Sequence, residues 1–139
     1  MSGTQILMVD DSRDDSLLTV AQLRRHIPDI QFRRVDTEET MRQALAAQDW
    51  DLILCDESMP AFNSANALSV LKASGKAIPL LIYSGHFTQA KWSAAALAGA
   101  RAFVDKNRTE ELATTVLAEI QAARRSADRP QVPEGSVAV

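Results

Sequence analysis

The chain has one cysteine and one tyrosine among 139 residues, and aromatic residues make up only 5%. A single cysteine, Cys55, excludes an intramolecular disulfide and a paired-cysteine metal knuckle. Glycine and proline are scarce, with five of each, so each one punctuates the chain as a loop marker. No apolar run approaches the ~18 residues of a membrane span. The opening MSGTQILMVDD has neither a basic stretch nor a long apolar stretch, so no signal peptide is expected. Neither charge dominates: 15 Lys and Arg face 18 Asp and Glu, a net charge of −3. Such a chain has no overall pull toward nucleic acid or anionic lipid. What is present is 46% hydrophobic and 24% charged, enough for one core in one domain. A soluble, cytoplasmic domain is expected.

Short apolar runs alternate with helical patterns. The runs are Ile6-Leu7-Met8-Val9, Leu52-Ile53-Leu54-Cys55, Leu80-Leu81-Ile82-Tyr83 and Ala102-Phe103-Val104, with a weaker alternating run at Ile30–Val35. Runs of about four apolar residues suit strands buried on both faces of a parallel sheet, and the alternating run suits an edge strand. Between them, Leu17, Val20, Ala21 and Arg24 follow helical spacing, as do Met41, Ala44, Leu45 and Gln48, and Ala113, Val116, Leu117 and Ile120. Asp36 with Glu39, and Asn107 with Glu110, have the spacing of helix N-caps. Gly99 stops an Ala-rich helix.

The pattern predicts strands over residues 5–9, 30–35, 51–56, 79–84 and 102–105. Helices are predicted over 14–26, 37–48, 64–74, 88–98 and 109–125. Five successive βα units imply an open α/β sheet with helices on both faces, and are too few to close a barrel. Residues 1–125 form the expected domain, and 126–139 read as a flexible tail.

Functional sites of such sheets gather beyond the carboxyl ends of the strands. Asp10-Asp11, Asp56, Ser84-Gly85 and Asp105-Lys106 stand at four of those ends. Clustered carboxylates raise one another's pKa unless a cation neutralises them. Mg²⁺ is the natural occupant, a hard ion that takes one or two carboxylates and keeps several waters. Lys106 and Ser84 supply a positive charge and a donor for phosphoryl oxygens, and a carboxylate can itself be the nucleophile. Mg²⁺-assisted phosphoryl transfer onto Asp56 is the chemistry this set suggests.

Val9-Asp10-Asp11, Asp56-x-Ser58-Met59-Pro60, Ser84 and Lys106 closely resemble the receiver domain of bacterial two-component response regulators. The separations fit too, with 46 residues from Asp10 to Asp56, 28 more to Ser84 and 22 more to Lys106. The resemblance implies a flavodoxin-like doubly wound (βα)5 fold with a five-stranded parallel sheet of order 2-1-3-4-5. It implies that Asp56 is the phospho-acceptor and that Asp10, Asp11, Asp56 and the Ser58 backbone carbonyl hold Mg²⁺. Lys106 would contact the phosphoryl group, Ser84 would turn toward it, and Phe103 would change rotamer as Ser84 moves. Ser58 and His86 match positions that modulate water access to the phospho-aspartate. A histidine kinase or phosphotransfer protein would be the donor, and the α4–β5–α5 face would meet an output partner. The domain would assist its own phosphorylation and dephosphorylation without being a turnover enzyme. A phosphorylation-independent scaffold with the same fold is the alternative.

Lys106 is followed by Asn107 where most receivers have Pro, so a trans bond is expected there. Ser64 and Gly85 also depart from the common pattern. Glu57 reads as a solvated loop acid, and Asp14, Asp15 and Asp105 as helix-start or surface charges. Cys55 reads as core, and His26 as a charge near a helix C-terminus. Trp92, with Phe87 nearby, reads equally as a partner anchor or as packing. No output domain for DNA binding is expected.

Overall fold

The computed structural model describes residues 3–57, 59–86 and 88–128. Ser58, Phe87 and residues 129–139, with most of the expected tail, lie outside the described residues. The elements run β1 (Thr4–Val9), α1 (Arg13–Arg24), β2 (Ile30–Val35), α2 (Glu38–Ala47), β3 (Leu52–Asp56), α3 (Ser64–Ser74), β4 (Leu80–Ser84), α4 (Gln89–Ala98), β5 (Ala102–Asp105) and α5 (Thr109–Asp128). All strand pairings are parallel, in the order β2-β1-β3-β4-β5. This is the doubly wound α/β sheet that the sequence predicts. No helix of the described residues is long and apolar enough to cross a membrane.

Every residue of β3 and β4 is buried, whereas β2 alternates as an edge strand should. On the face of β2 that meets α1, the Arg24 guanidinium covers the Phe32 ring and donates to the Ile30 carbonyl. Because side chains alternate across a strand, each run feeds two cores. Leu7, Val9, Ile53, Cys55, Ile82 and Phe103 face α2, α3 and α4. Ile6, Met8, Leu52, Leu54, Leu81, Tyr83 and Val104 face α1 and α5.

Local details depart from the sequence reading. The buried face of α1 is Ser16, Thr19, Val20 and Leu23, while Leu17 and Ala21 are exposed. The helical period is kept but rotated by one position. Ser16 tolerates burial because its hydroxyl donates to the Ser12 carbonyl at 2.9 Å. The cap of α2 is Thr37, not Asp36. Its hydroxyl accepts the Thr40 N–H at 3.1 Å, and the Thr40 hydroxyl accepts the Thr37 N–H at 3.2 Å. The first carbonyl to accept within α5 is that of Arg108, one residue beyond Asn107. That helix continues to Asp128. Gly99 closes α4 with φ of 113°, a left-handed conformation natural to glycine.

Leu54 is fully buried in the central strand and Leu97 is 90% exposed on α4. Leu54→Ala is expected to lose roughly 2–5 kcal/mol in urea unfolding, and Leu97→Ala less than about 0.5 kcal/mol. Equal losses at the two positions would contradict this placement.

Candidate functional site

The alternation that builds the two cores also sorts the residues at the strand ends. Asp10 continues the set of Ile6 and Met8, Asp56 that of Leu52 and Leu54, and Lys106 that of Ala102 and Val104. These three, with Tyr83, therefore belong to the α1/α5 side of the sheet edge. Ser84 continues Leu80 and Ile82, and with Phe103 it belongs to the α3/α4 side.

On the first side, carboxylate oxygens of Asp10, Asp11 and Asp56 all lie within 4.8 Å of one another. Asp10 and Asp56 are buried and Asp11 is exposed. Asp10 is tightly held. One of its oxygens accepts the Ser12 N–H at 2.9 Å, and the other accepts the Tyr83 hydroxyl. Its main chain is anchored to β2 through Asp10 N–H to Val35 at 3.0 Å and Arg34 to the Asp10 carbonyl at 3.1 Å. The Lys106 ammonium lies 3.3 Å from Asp56 Oδ1, 3.9 Å from Asp15 and 4.8 Å from the centre of the Tyr83 ring. Burial, and then the bond to Asp10, push the Tyr83 phenol far above its ordinary pKa, so it stays a donor. Burial likewise pushes the Cys55 thiol up, consistent with an inert core residue.

Three carboxylates with a single ammonium beside them leave an excess of negative charge, which a divalent cation offsets. The donors are all hard oxygens, the set that Mg²⁺ prefers. The residues therefore fit such an ion. No cis peptide bond occurs among the described residues, so Lys106–Asn107 is trans, as expected. Asp105, read as a surface charge, shapes this turn. Its carboxylate accepts the Asn107 N–H at 2.8 Å and its carbonyl accepts the Arg108 N–H at 3.1 Å. Proline at 107 could not make the first of these bonds.

On the second side, the buried Ser84 hydroxyl accepts the His86 N–H at 3.0 Å. It lies 3.2 Å from both Glu57 Oε1 and the His86 carbonyl, and donates to one of them at a time. Lys91 on α4 clamps the same group, 3.0 Å from Glu57 Oε1 and 3.3 Å from the His86 carbonyl. Glu57 is therefore a built part of the site and not a solvated loop acid. Phe103 borders a cavity of about 180 Å³ lined also by Glu57, Ser64, Leu68 and Lys91. Trp92 is half-buried against the neighbouring core, as packing requires. The sequence reading did not single out Tyr83 or Lys91. A tyrosine closing an otherwise aliphatic strand run was the available signal for the first, and Lys91 had none.

The sequence profile of the response regulator receiver domain matches residues 6–117. No curated protein sequence matches the chain. Among solved structures, a receiver domain of a sensor histidine kinase from Pseudomonas aeruginosa is 21% identical. Its TM-score is 0.72, with 86% of this chain and 98% of that one covered, and it has a magnesium ion coordinated in its active-site cleft. The receiver domain of a Francisella response regulator is 16% identical with a TM-score of 0.74, covering 86% of this chain and 98% of that one. The N-terminal domain of a response regulator/sensory box/GGDEF protein from Carboxydothermus hydrogenoformans is 17% identical with a TM-score of 0.73, covering 89% and 99%. These likenesses show a shared fold, and the profile match over most of the chain shows more: the chain belongs to the response regulator receiver domain family.

Proposed function

We propose that Asp56 accepts a phosphoryl group from a phosphohistidine of a histidine kinase or phosphotransfer protein, with Mg²⁺ held by Asp10, Asp11, Asp56 and the Ser58 carbonyl. The observation that carries this reading is the gathering of Asp10, Asp11 and Asp56 within 4.8 Å, with the Lys106 ammonium 3.3 Å from Asp56. When bound, Mg²⁺ supplies charge neutralisation between two anionic reactants. Asp56 attacks phosphorus, a P–O bond forms, and the P–N bond breaks with its electron pair going to the imidazole. Lys106 exchanges part of its contact with Asp56 for a phosphoryl oxygen. Asp10 stays fixed by Ser12 and Tyr83, so the acidic pocket is organised before the donor arrives.

The phosphoryl group adds negative charge and strong acceptors beside Ser84. The Ser84 hydroxyl then leaves Glu57 and the His86 carbonyl for a phosphoryl oxygen. This frees the Lys91 clamp on the β4–α4 loop, and Phe103 turns toward the space the loop vacates. The result is a shift of an existing equilibrium across α4–β5–α5, where an output partner reads it. The exposed Leu97 on α4 supports an apolar contact on that face. His86, exposed in the same loop, and Ser58 set the access of water to the acyl phosphate. The domain so assists its own phosphorylation and dephosphorylation as a signalling receiver.

Acetyl phosphate with Mg²⁺ is expected to label the wild type with an acyl phosphate detectable by intact mass, and Asp56→Asn to abolish the label. A label that persists in Asp56→Asn would refute the assignment. Timed in the same assay, His86→Ala should shorten the lifetime of the label by opening the loop to water; an unchanged lifetime removes His86 from the mechanism.

A further inference from the structure

Tyr83 is the only tyrosine of the chain, and it is fully buried in the last turn of pleat before Ser84. Its ring belongs to the core shared with Ile6, Met8, Leu54 and Val104. Phenylalanine would fill that volume equally well. A buried hydroxyl brings a desolvation cost that only a hydrogen bond offsets. Here the bond goes to Asp10, a carboxylate of the acidic cluster. The Ser12 N–H, 2.9 Å from Oδ1, holds only one Asp10 oxygen. A carboxylate held at one oxygen can still rotate about its Cβ–Cγ bond. A second donor on the other oxygen removes that freedom. The same ring also carries the Lys106 ammonium, 4.8 Å from its centre. One side chain thus touches both the acid and the lysine of the site.

We infer that Tyr83 is a positioning residue for the divalent metal: its hydroxyl locks the Asp10 carboxylate in the orientation that places it within reach of Asp11 and Asp56. The inference rests on the Mg²⁺ reading above and adds to it a partner outside the ligand set. Groups that orient metal ligands from behind commonly change affinity by roughly 10–100-fold when removed. Two substitutions separate the two contacts of the side chain. Tyr83→Phe removes the hydroxyl and keeps the ring beneath Lys106. Tyr83→Leu removes both.

The test is calorimetric titration with Mg²⁺ alone, on wild type and Tyr83→Phe. The expected result is binding weakened by roughly 10-fold or more in Tyr83→Phe. Equal affinity would overturn the inference, while wild type that binds no Mg²⁺ would overturn the metal reading itself. Acetyl-phosphate labelling gives a second readout. Tyr83→Phe should raise the Mg²⁺ concentration for half-maximal rate more than it lowers the maximal rate, whereas Tyr83→Leu should raise that concentration and clearly lower the maximal rate as well. A general packing defect would instead depress the maximal rate of Tyr83→Phe at unchanged half-saturation, and that pattern also overturns the inference. If Tyr83→Phe fails to fold, the wild type still decides. Its single tyrosine gives unambiguous ring resonances, which Mg²⁺ should shift; resonances that stay fixed at saturating Mg²⁺ would count against the role.

Discussion

Three carboxylates crowded at one end of a parallel sheet must be compensated, and that requirement organises the molecule. Asp10 and Asp56 are buried, so water screens them poorly. Each is met by a specific partner: Lys106 at Asp56, and Ser12 with Tyr83 at Asp10. The acids and their partners together come from four different segments, at residues 10–12, 56, 83 and 106. Only a sheet whose strands all point the same way brings their ends to one edge. The two apolar cores hold that register, so the packing of residues such as Leu54 and Val104 is a precondition for the charge arrangement. The local charge that remains is negative, the sign a divalent cation satisfies.

The alternation of strand side chains gives the site two compartments. One holds the acids, Lys106 and Tyr83. The other holds Ser84, Glu57, Lys91 and Phe103, next to α4. Ser84 directly follows Tyr83, and Glu57 directly follows Asp56, so the compartments are joined through single peptide units. Under the proposed function a change in charge at Asp56 would act directly on the neighbouring compartment. There, one hydroxyl choosing between Glu57 and the His86 carbonyl already provides a two-way contact. Lys91 carries that contact into α4. Under the proposed function the chemistry and the readout would be neighbours across the sheet and not distant sites needing a long path.

Much of this was legible in the sequence because the informative residues terminate apolar runs. Asp10, Asp56, Ser84 and Lys106 each end a strand that composition alone reveals, and topology brings strand ends together. The edge character of β2 followed from its alternation. What escaped the sequence depended on side-chain hydrogen bonds. Ser16 faces inward on α1 because its short hydroxyl returns a bond to the preceding turn, which periodicity of apolar residues does not register. Thr37 displaced Asp36 as a cap through a reciprocal pair with Thr40, where an acidic residue was sought. Tyr83 passed for core because its whole side chain is buried, and only the bond of its hydroxyl to Asp10 sets it apart. Glu57 and Lys91 are separated by 34 residues, and their pairing exists only once α4 has packed against α3 and β5. Asn107 was a departure from the family's proline, and its N–H found a use in the Asp105 turn.

If the acidic edge binds a divalent cation, the folded state alone should do so. Thermal unfolding across a Mg²⁺ series at constant ionic strength tests it most directly, because a ligand bound only by the folded state raises the midpoint with its concentration. The midpoint should climb steadily with Mg²⁺ in the wild type and barely move in Asp11→Asn. A wild-type midpoint that stays flat across the series would contradict it.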